Sequence, residues 1–278
     1  MRPQALDGIR IVSLAANLPG PLAAARLARS GAHVTKIDPP LGDALQEFAP
    51  AWYAQLVAGQ HVVSLDLRNA GDRAELASFF DNADVFLTAS RRASLAKYGL
   101  TWDILHQKYP RLCYVAIVGE RSPHANRPGH DLTYQAAAGL LRDRTVPPIL
   151  AADILGADRA VSATFELLLQ RERFGDAGFA EVALAEAAQA FSASLAHGIS
   201  TVDGVLGGGF PMYGVYRTAD GWIALAALEP QFRKRVEEAL GAGKNALEKA
   251  FAAHDGAHWE RWGQEHDVPV AILGEPHA

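Results

Sequence analysis

The 278-residue chain holds one cysteine, Cys113, so no disulfide can form within it. That thiol lies in the apolar run Leu112-Cys113-Tyr114-Val115-Ala116-Ile117-Val118. Burial there suits a structural group, since a nucleophilic thiol needs an accessible, electropositive setting. Clustered lysine and arginine are missing as well. A formal net charge of -5 with no long basic run excludes a nucleic-acid surface, which needs such clusters to meet phosphates. No apolar run reaches membrane-spanning length, and the start, Met1-Arg2-Pro3-Gln4, has no apolar signal region, so a cytoplasmic protein is expected. The glycine run Gly207-Gly208-Gly209, followed by Phe210-Pro211, lacks the Lys-Ser ending of a nucleotide P-loop. A hinge or flap is expected there.

Core material is plentiful, with 49% hydrophobic and 21% charged residues, enough for one large or two modest domains. Over the first 120 residues, short β-rich runs (Ile9-Leu14, His33-Ile37, Val62-Leu67, Asp84-Thr88, Leu112-Val118) alternate with helical ones (Pro21-Arg29, Ala70-Asn82, Arg92-Lys97, Trp102-Lys108). This alternation predicts an α/β fold, a parallel sheet with helices packed on it. A strand over 180–184 and a helix over 186–197 follow. The glycine-rich stretch 204–209 reads as a boundary, dividing a Rossmann-like large domain (1–203) from a smaller α+β domain (204–278). In the latter, Ala219-Asp220-Gly221 turns a hairpin between Tyr213-Thr218 and Trp222-Ala227. Helices near 233–240, 245–254 and 259–266 and a strand over 268–273 complete it.

Two ionisable side chains stand out. His130 follows a Pro-Gly turn and precedes the amphipathic run Leu132-Tyr134-Ala137-Leu140-Leu141, while Asp153 follows Pro147-Pro148-Ile149-Leu150 and opens a helix over 154–169. Two such groups at helix starts beside apolar sequence suit a tunable acid/base pair. Helix capping is the structural alternative for both. The loop Ala15-Ala16-Asn17-Leu18-Pro19-Gly20-Pro21 is small enough for close backbone approach by a ligand, and equally reads as a tight strand-to-helix turn. Lys36 and Asp38 alternate at the end of a strand and so point the same way. A lysine at such a rim meets a phosphate or simply solvent.

The residues Leu6-Asp7-Gly8-Ile9-Arg10-Ile11-Val12, Pro19-Gly20-Pro21, Val34-Thr35-Lys36-Ile37-Asp38-Pro39-Pro40, Ser64-Leu65-Asp66-Leu67, Tyr98-Gly99-Leu100 and Pro110-Arg111-Leu112 resemble the family III CoA-transferases (CaiB/BaiF) through nearly the whole chain. Gly129-His130-Asp131 is similar to the α-methylacyl-CoA racemase branch. The resemblance implies that His130 and Asp153 are the two proton-transfer bases of a racemase, with Glu229, in Leu228-Glu229-Pro230-Gln231-Phe232, supporting the histidine. In the transferase branch Asp153 is instead the carboxylate that carries CoA as a thioester. A third expectation is an acyl-CoA-binding homologue without catalysis. A CoA thioester is the implied substrate, bound by Ala16, Asn17, Pro19, Gly20 and Lys36, with Arg91, Arg92 and Lys97 as further cations. No metal and no permanently bound cofactor are expected. An interlocked homodimer is implied as the partner arrangement.

The chain departs from the family pattern in several places. Ala58-Gly59-Gln60-His61 stands where the family has a basic turn, Val118-Gly119-Glu120-Arg121-Ser122-Pro123 is an altered loop, and Ile149 replaces an Asn four residues before Asp153. The C-terminus, after Val268-Pro269-Val270, reads as shortened.

Overall fold

The computed structural model describes residues 3–142 and 144–274. Among these residues nine strands run β1 Arg10–Leu14, β2 His33–Asp38, β3 His61–Ser64, β4 Val85–Thr88, β5 Cys113–Val118, β6 Phe179–Ala183, β7 Tyr213–Arg217, β8 Trp222–Ala226 and β9 Val270–Ile272. The helices are α1 Pro19–Arg29, α2 Ala44–Phe48, α3 Pro50–Val57, α4 Ala70–Phe80, α5 Arg92–Ala96, α6 Trp102–Lys108, α7 Asp131–Ala137, α8 Ala151–Phe174, α9 Leu184–Phe191, α10 Ala193–Ala196, α11 Pro230–Leu240, α12 Lys244–Phe251 and α13 Gly256–Glu265. The chain divides into two compact units, 1–192 and 193–278. This division falls before the glycine-rich stretch, which lies inside the second unit.

In the first unit six strands form one sheet in the order β3-β2-β1-β4-β5-β6, every pair parallel. The strands β4 (VFLT) and β5 (CYVAIV) are buried along their whole length. Continuous apolar runs are what a parallel sheet covered on both faces demands. One face packs on α1 and α8 through Leu22, Ala24, Leu27, Ala157 and Ala160. Leu76 and Phe80 of α4, Leu95 of α5 and Leu105 of α6 pack on the other. The strand order reverses between β1 and β4. In such folds ligands lodge at that point, outside the carboxyl ends of the strands.

Helix α8 is 24 residues long and stops at Gly175, whose φ of 86° only glycine adopts cheaply. Near its C-terminus the buried Arg171 donates to an Asp84 carboxylate oxygen at 2.8 Å and to the Arg111 carbonyl at 2.8 Å. The helix expected over 186–197 is broken at Ser192 into α9 and α10. Two helices, α2 and α3, occupy a stretch where the sequence reading places none.

The second unit folds β7, β8 and β9 into an antiparallel sheet. Its own core holds Met212, Tyr216, Ile223, Leu225, Val236, Leu247, Phe251 and Trp259. At the hairpin turn, Thr218 Oγ1 donates to Asp220 and accepts the Gly221 N–H, while Asp220 accepts the Gly256 N–H at 2.8 Å and ties the turn to α13. Among the described residues no helix is long and apolar enough to cross a membrane.

Candidate active site

Beyond the carboxyl ends of β1, β4 and β5 lies an open cleft. Ala16, Asn17 and Pro19 line it from the loop after β1, Ser90 and Arg91 from the loop after β4, and Gly119, Arg127, Gly129 and His130 from the long loop after β5. Asp153 and Tyr134 complete its polar wall. The two groups singled out by sequence therefore share one cleft.

His130 is the N-cap residue of α7, in extended backbone conformation. The Thr133 hydroxyl fixes that turn, accepting the His130 N–H at 3.1 Å and donating to the His130 carbonyl at 2.8 Å. The imidazole is exposed at the cleft. Asp153 does not precede its helix as the sequence reading has it. Helix α8 begins at Ala151, three residues before the expected start, so Asp153 sits in its first turn. Its own N–H donates at 3.0 Å to Asp131, a carboxylate only 6% exposed and held by the Gln135 side-chain amide. Gln135 also donates to the Ile149 carbonyl at 2.7 Å, so α7 and the entry to α8 are pinned together.

Burial, and then the neighbouring Asp131 charge, push the Asp153 carboxyl from 3.8 to about 7. A helix N-terminus favours the ionised form of a carboxylate there; desolvation and like charge outweigh it. A carboxyl poised near neutrality gives and takes protons with equal ease at working pH. At the start of α8 the backbone donors of Asp153 and Ile154 are not free for a ligand, since the Ile154 N–H donates to the Leu150 carbonyl within the helix and the Asp153 N–H serves Asp131.

Tyr134 and Asp131 went unnoticed in the sequence as site residues. Tyr134 lies one helical turn after His130 and is 8% exposed. A methyl group at Gly119 or Gly129 would overlap its hydroxyl, so these two glycines make room for the ring. Burial, with the charges of Glu120 and Asp153, raises its pKa, keeping the phenol a neutral donor. The signal available in the sequence was the four-residue spacing from His130.

The expected cofactor contacts separate. Ala16, Asn17, Pro19 and Arg91 line the cleft, and Arg91 is exposed with no ion-pair partner among the described residues. Gly20 does not line it. Its Cα packs on the Ala15 main chain, leaving no room for a side chain where α1 starts. Arg92 faces a neighbouring pocket, paired with Asp103 at 3.3 Å. Lys97 is exposed at the end of α5. Lys36 is the clear correction: it is 0% exposed and its ammonium is held by Asp38 and, at 3.1 Å, by Asp43. Helices α2 and α3 bring Asp43 and Tyr53 over it, so no rim lysine is presented to a phosphate. Glu229 stands in the second unit at the N-cap position of α11, exposed, and its side chain makes no capping bond.

A second cleft adjoins the first through the shared residues Ala16 and Ser90. It is lined by Pro39, Pro40, Leu41, Leu67, Arg68 and Tyr98. No group of three or more metal-ligating side chains occurs among the described residues.

A parallel sheet of this order, with a cleft beyond the carboxyl ends of its strands, marks the chain as an α/β protein of the doubly wound class. The match to the model of CoA-transferase family III over residues 6–265 is decisive: the chain belongs to that family. It is 30% identical to the human alpha-methylacyl-CoA racemase, over 90% of this chain and 69% of the relative. It is 27% identical to the probable fatty acyl-CoA transferase Rv3272 of Mycobacterium tuberculosis, over 89% of this chain and 71% of the relative. A succinyl-CoA–D-citramalate CoA-transferase of Chloroflexus aurantiacus is also 27% identical, over 91% and 69%. A crystal structure of Rv3272 superposes with a TM-score of 0.83 at 26% identity, covering 98% of this chain and 86% of that one. The chain is thus of a family of enzymes acting on acyl-CoA, with racemases and CoA-transferases both among its relatives.

Proposed function

We propose that this protein is an acyl-CoA racemase, inverting the α-carbon of a 2-methylacyl-CoA by two-base proton transfer through an enolate. The observation that carries the reading is the shared cleft of His130 and Asp153, with the carboxyl held at about 7. One side chain removes the α-proton, the C–H electron pair moves toward the thioester carbonyl to form the enolate, and the other side chain delivers a proton to the opposite face. The carboxyl ends the cycle protonated and the imidazole deprotonated, or the reverse, according to the starting epimer. Enolate formation requires a preorganised donor for the carbonyl oxygen; the neutral Tyr134 hydroxyl fills that role here. The nucleotide end of CoA runs through the proline-lined cleft past Ala16 and Ser90. The functional unit is a homodimer.

CoA transfer is the second reading, favoured by the transferases among the relatives. There the Asp153 carboxylate attacks the thioester carbonyl and expels the CoA thiolate, giving a mixed anhydride; the thiolate then attacks the aspartyl carbonyl, which releases the donor acid as its carboxylate and leaves CoA on Asp153 as an aspartyl thioester for the acceptor acid to take up. That chemistry calls for an ionised carboxylate, whereas a proton shuttle works best with its pKa at working pH, which is why racemisation is preferred. In heavy water, racemisation incorporates one deuterium at the α-carbon of a 2-methylacyl-CoA and His130→Ala abolishes it. Exchange of CoA between acids that survives His130→Ala, with no deuterium uptake, overturns racemisation in favour of transfer. Binding of CoA esters with neither chemistry overturns both.

A further inference from the structure

One fully buried charged group among the described residues is a lysine that the cleft does not use. Lys36 is fully buried between two carboxylates, Asp38 and Asp43, whose side chains are 7% and 0% exposed. Every oxygen of the trio is engaged. Asp38 takes Lys36 on one oxygen and the Tyr53 hydroxyl on the other. Asp43 takes Lys36 on Oδ2, and on Oδ1 it accepts two backbone N–H groups, those of Leu45 and Asn17, both at 3.0 Å. The Leu45 bond is an ordinary helix cap for α2. The Asn17 bond is not local: it spans 26 residues and reaches the loop after β1. Asn17 has a φ of 63°, in the left-handed region that side-chain-bearing residues seldom adopt. Its neighbour Ala16 lines both clefts, and Asn17 itself lines the one holding Asp153.

We infer that Asp43 is a positioning residue for acyl-CoA binding: its carboxylate, held in place by the buried Lys36, clamps the Asn17 N–H and so fixes the loop that separates the two clefts. The role rests on the acyl-CoA reading above. Lys36 serves the ligand indirectly, as the counter-ion that fixes the clamp. A carboxylate fixed from below costs little to reorganise when a ligand arrives, so removing it weakens binding more than chemistry.

The test measures hydrogen exchange at the Asn17 amide and the dissociation constant for free CoA in the full chain. Asp43→Ala is expected to speed exchange at Asn17 and to weaken CoA binding at least tenfold. Asp43→Asn keeps a carbonyl oxygen for both N–H groups and leaves the Lys36–Asp38 pair neutral, so it restores binding to within threefold of wild type. Should Asp43→Ala fail to fold, Asp43→Glu keeps the charge but displaces the acceptor, with the same expected loss. Tyr53→Phe trims the far end of the network, lowering Tm while leaving CoA affinity unchanged. A Tyr53→Phe chain that loses affinity as much as Asp43→Ala overturns the inference, because the effect is then general destabilisation. Asp43 variants that bind CoA like wild type overturn it too, with the acyl-CoA reading intact. A wild-type chain that binds no CoA overturns that reading, and this role with it.

Discussion

Replacing Asp153 by asparagine is expected to stabilise the protein in mild alkali and to do little for it in mild acid. An ordinary carboxyl at 3.8 is held at about 7 in the folded chain, which disfavours its ionised form by roughly 4 kcal/mol. In strong acid the folded and unfolded chains both keep the proton, and this group leaves stability untouched. As pH rises from 3.8 to about 7, the unfolded carboxyl ionises while the folded one retains its proton, so stability falls with pH and the loss is complete above the folded value. Asparagine has no such slope. Of that ceiling about 3 kcal/mol falls between pH 5 and pH 8, and because Asp153 is only partly buried solvent screens part of it, leaving about 2 kcal/mol. For a unit of this size that is about 6 °C in Tm. Calorimetry of wild type and Asp153→Asn at the two pH values reads it directly. A difference in Tm that stays constant with pH, or a variant less stable than wild type at pH 8 after matching it at pH 5, refutes the argument that burial and Asp131 strain this carboxylate.

Asp131→Asn removes the second cause of that shift and leaves the first, so the Asp153 carboxyl moves down from about 7 without reaching its ordinary value; carbon NMR titration of the side chain measures this. Gly119→Ala and Gly129→Ala each drive a methyl into the Tyr134 hydroxyl and are expected to cost about 1–3 kcal/mol in urea unfolding. Tyr134→Phe relieves Gly119→Ala better than Gly129→Ala, since the next ring atom lies 3.0 Å from the added carbon in the first case and 2.6 Å in the second; a double-mutant cycle separates them. Arg171→Met strands the Asp84 carboxylate and is expected to cost about 3 kcal/mol, again by urea unfolding.

The sheet was legible because two of its inner strands are fully covered: Val85–Thr88 and Cys113–Val118 carry the apolar runs expected of a buried parallel strand. Helices α2 and α3 were not, because Pro39-Pro40, Gly42 and Pro50 signal turns, while the cap at Asp43 and a proline placed at a helix start are the marks of helices too short to show a period. That omission propagated. The alternation of Lys36 and Asp38 correctly put both on one side of β2, yet without the two helices over them the lysine reads as a surface cation. The pairing of His130 with Asp153 in one cleft came from family resemblance. Spacing alone left capping open for both, and in the structure His130 does occupy an N-cap position while Asp153 lies in the first helical turn. Asp131 and Tyr134 escaped notice since their roles depend on a carboxylate and two glycines distant in the chain.

Helix α8 is a strut. Asp153 rides near one end, and Arg171, about 27 Å further along at 1.5 Å per residue, is bolted to Asp84 and Arg111 at the amino ends of β4 and β5. A group so mounted has no slack with which to follow a bulkier or slimmer guest. Adaptation to acyl chains of different girth therefore falls to the turns after β1, β4 and β5, and diversification of this scaffold is expected to be written there while the rod stays unaltered.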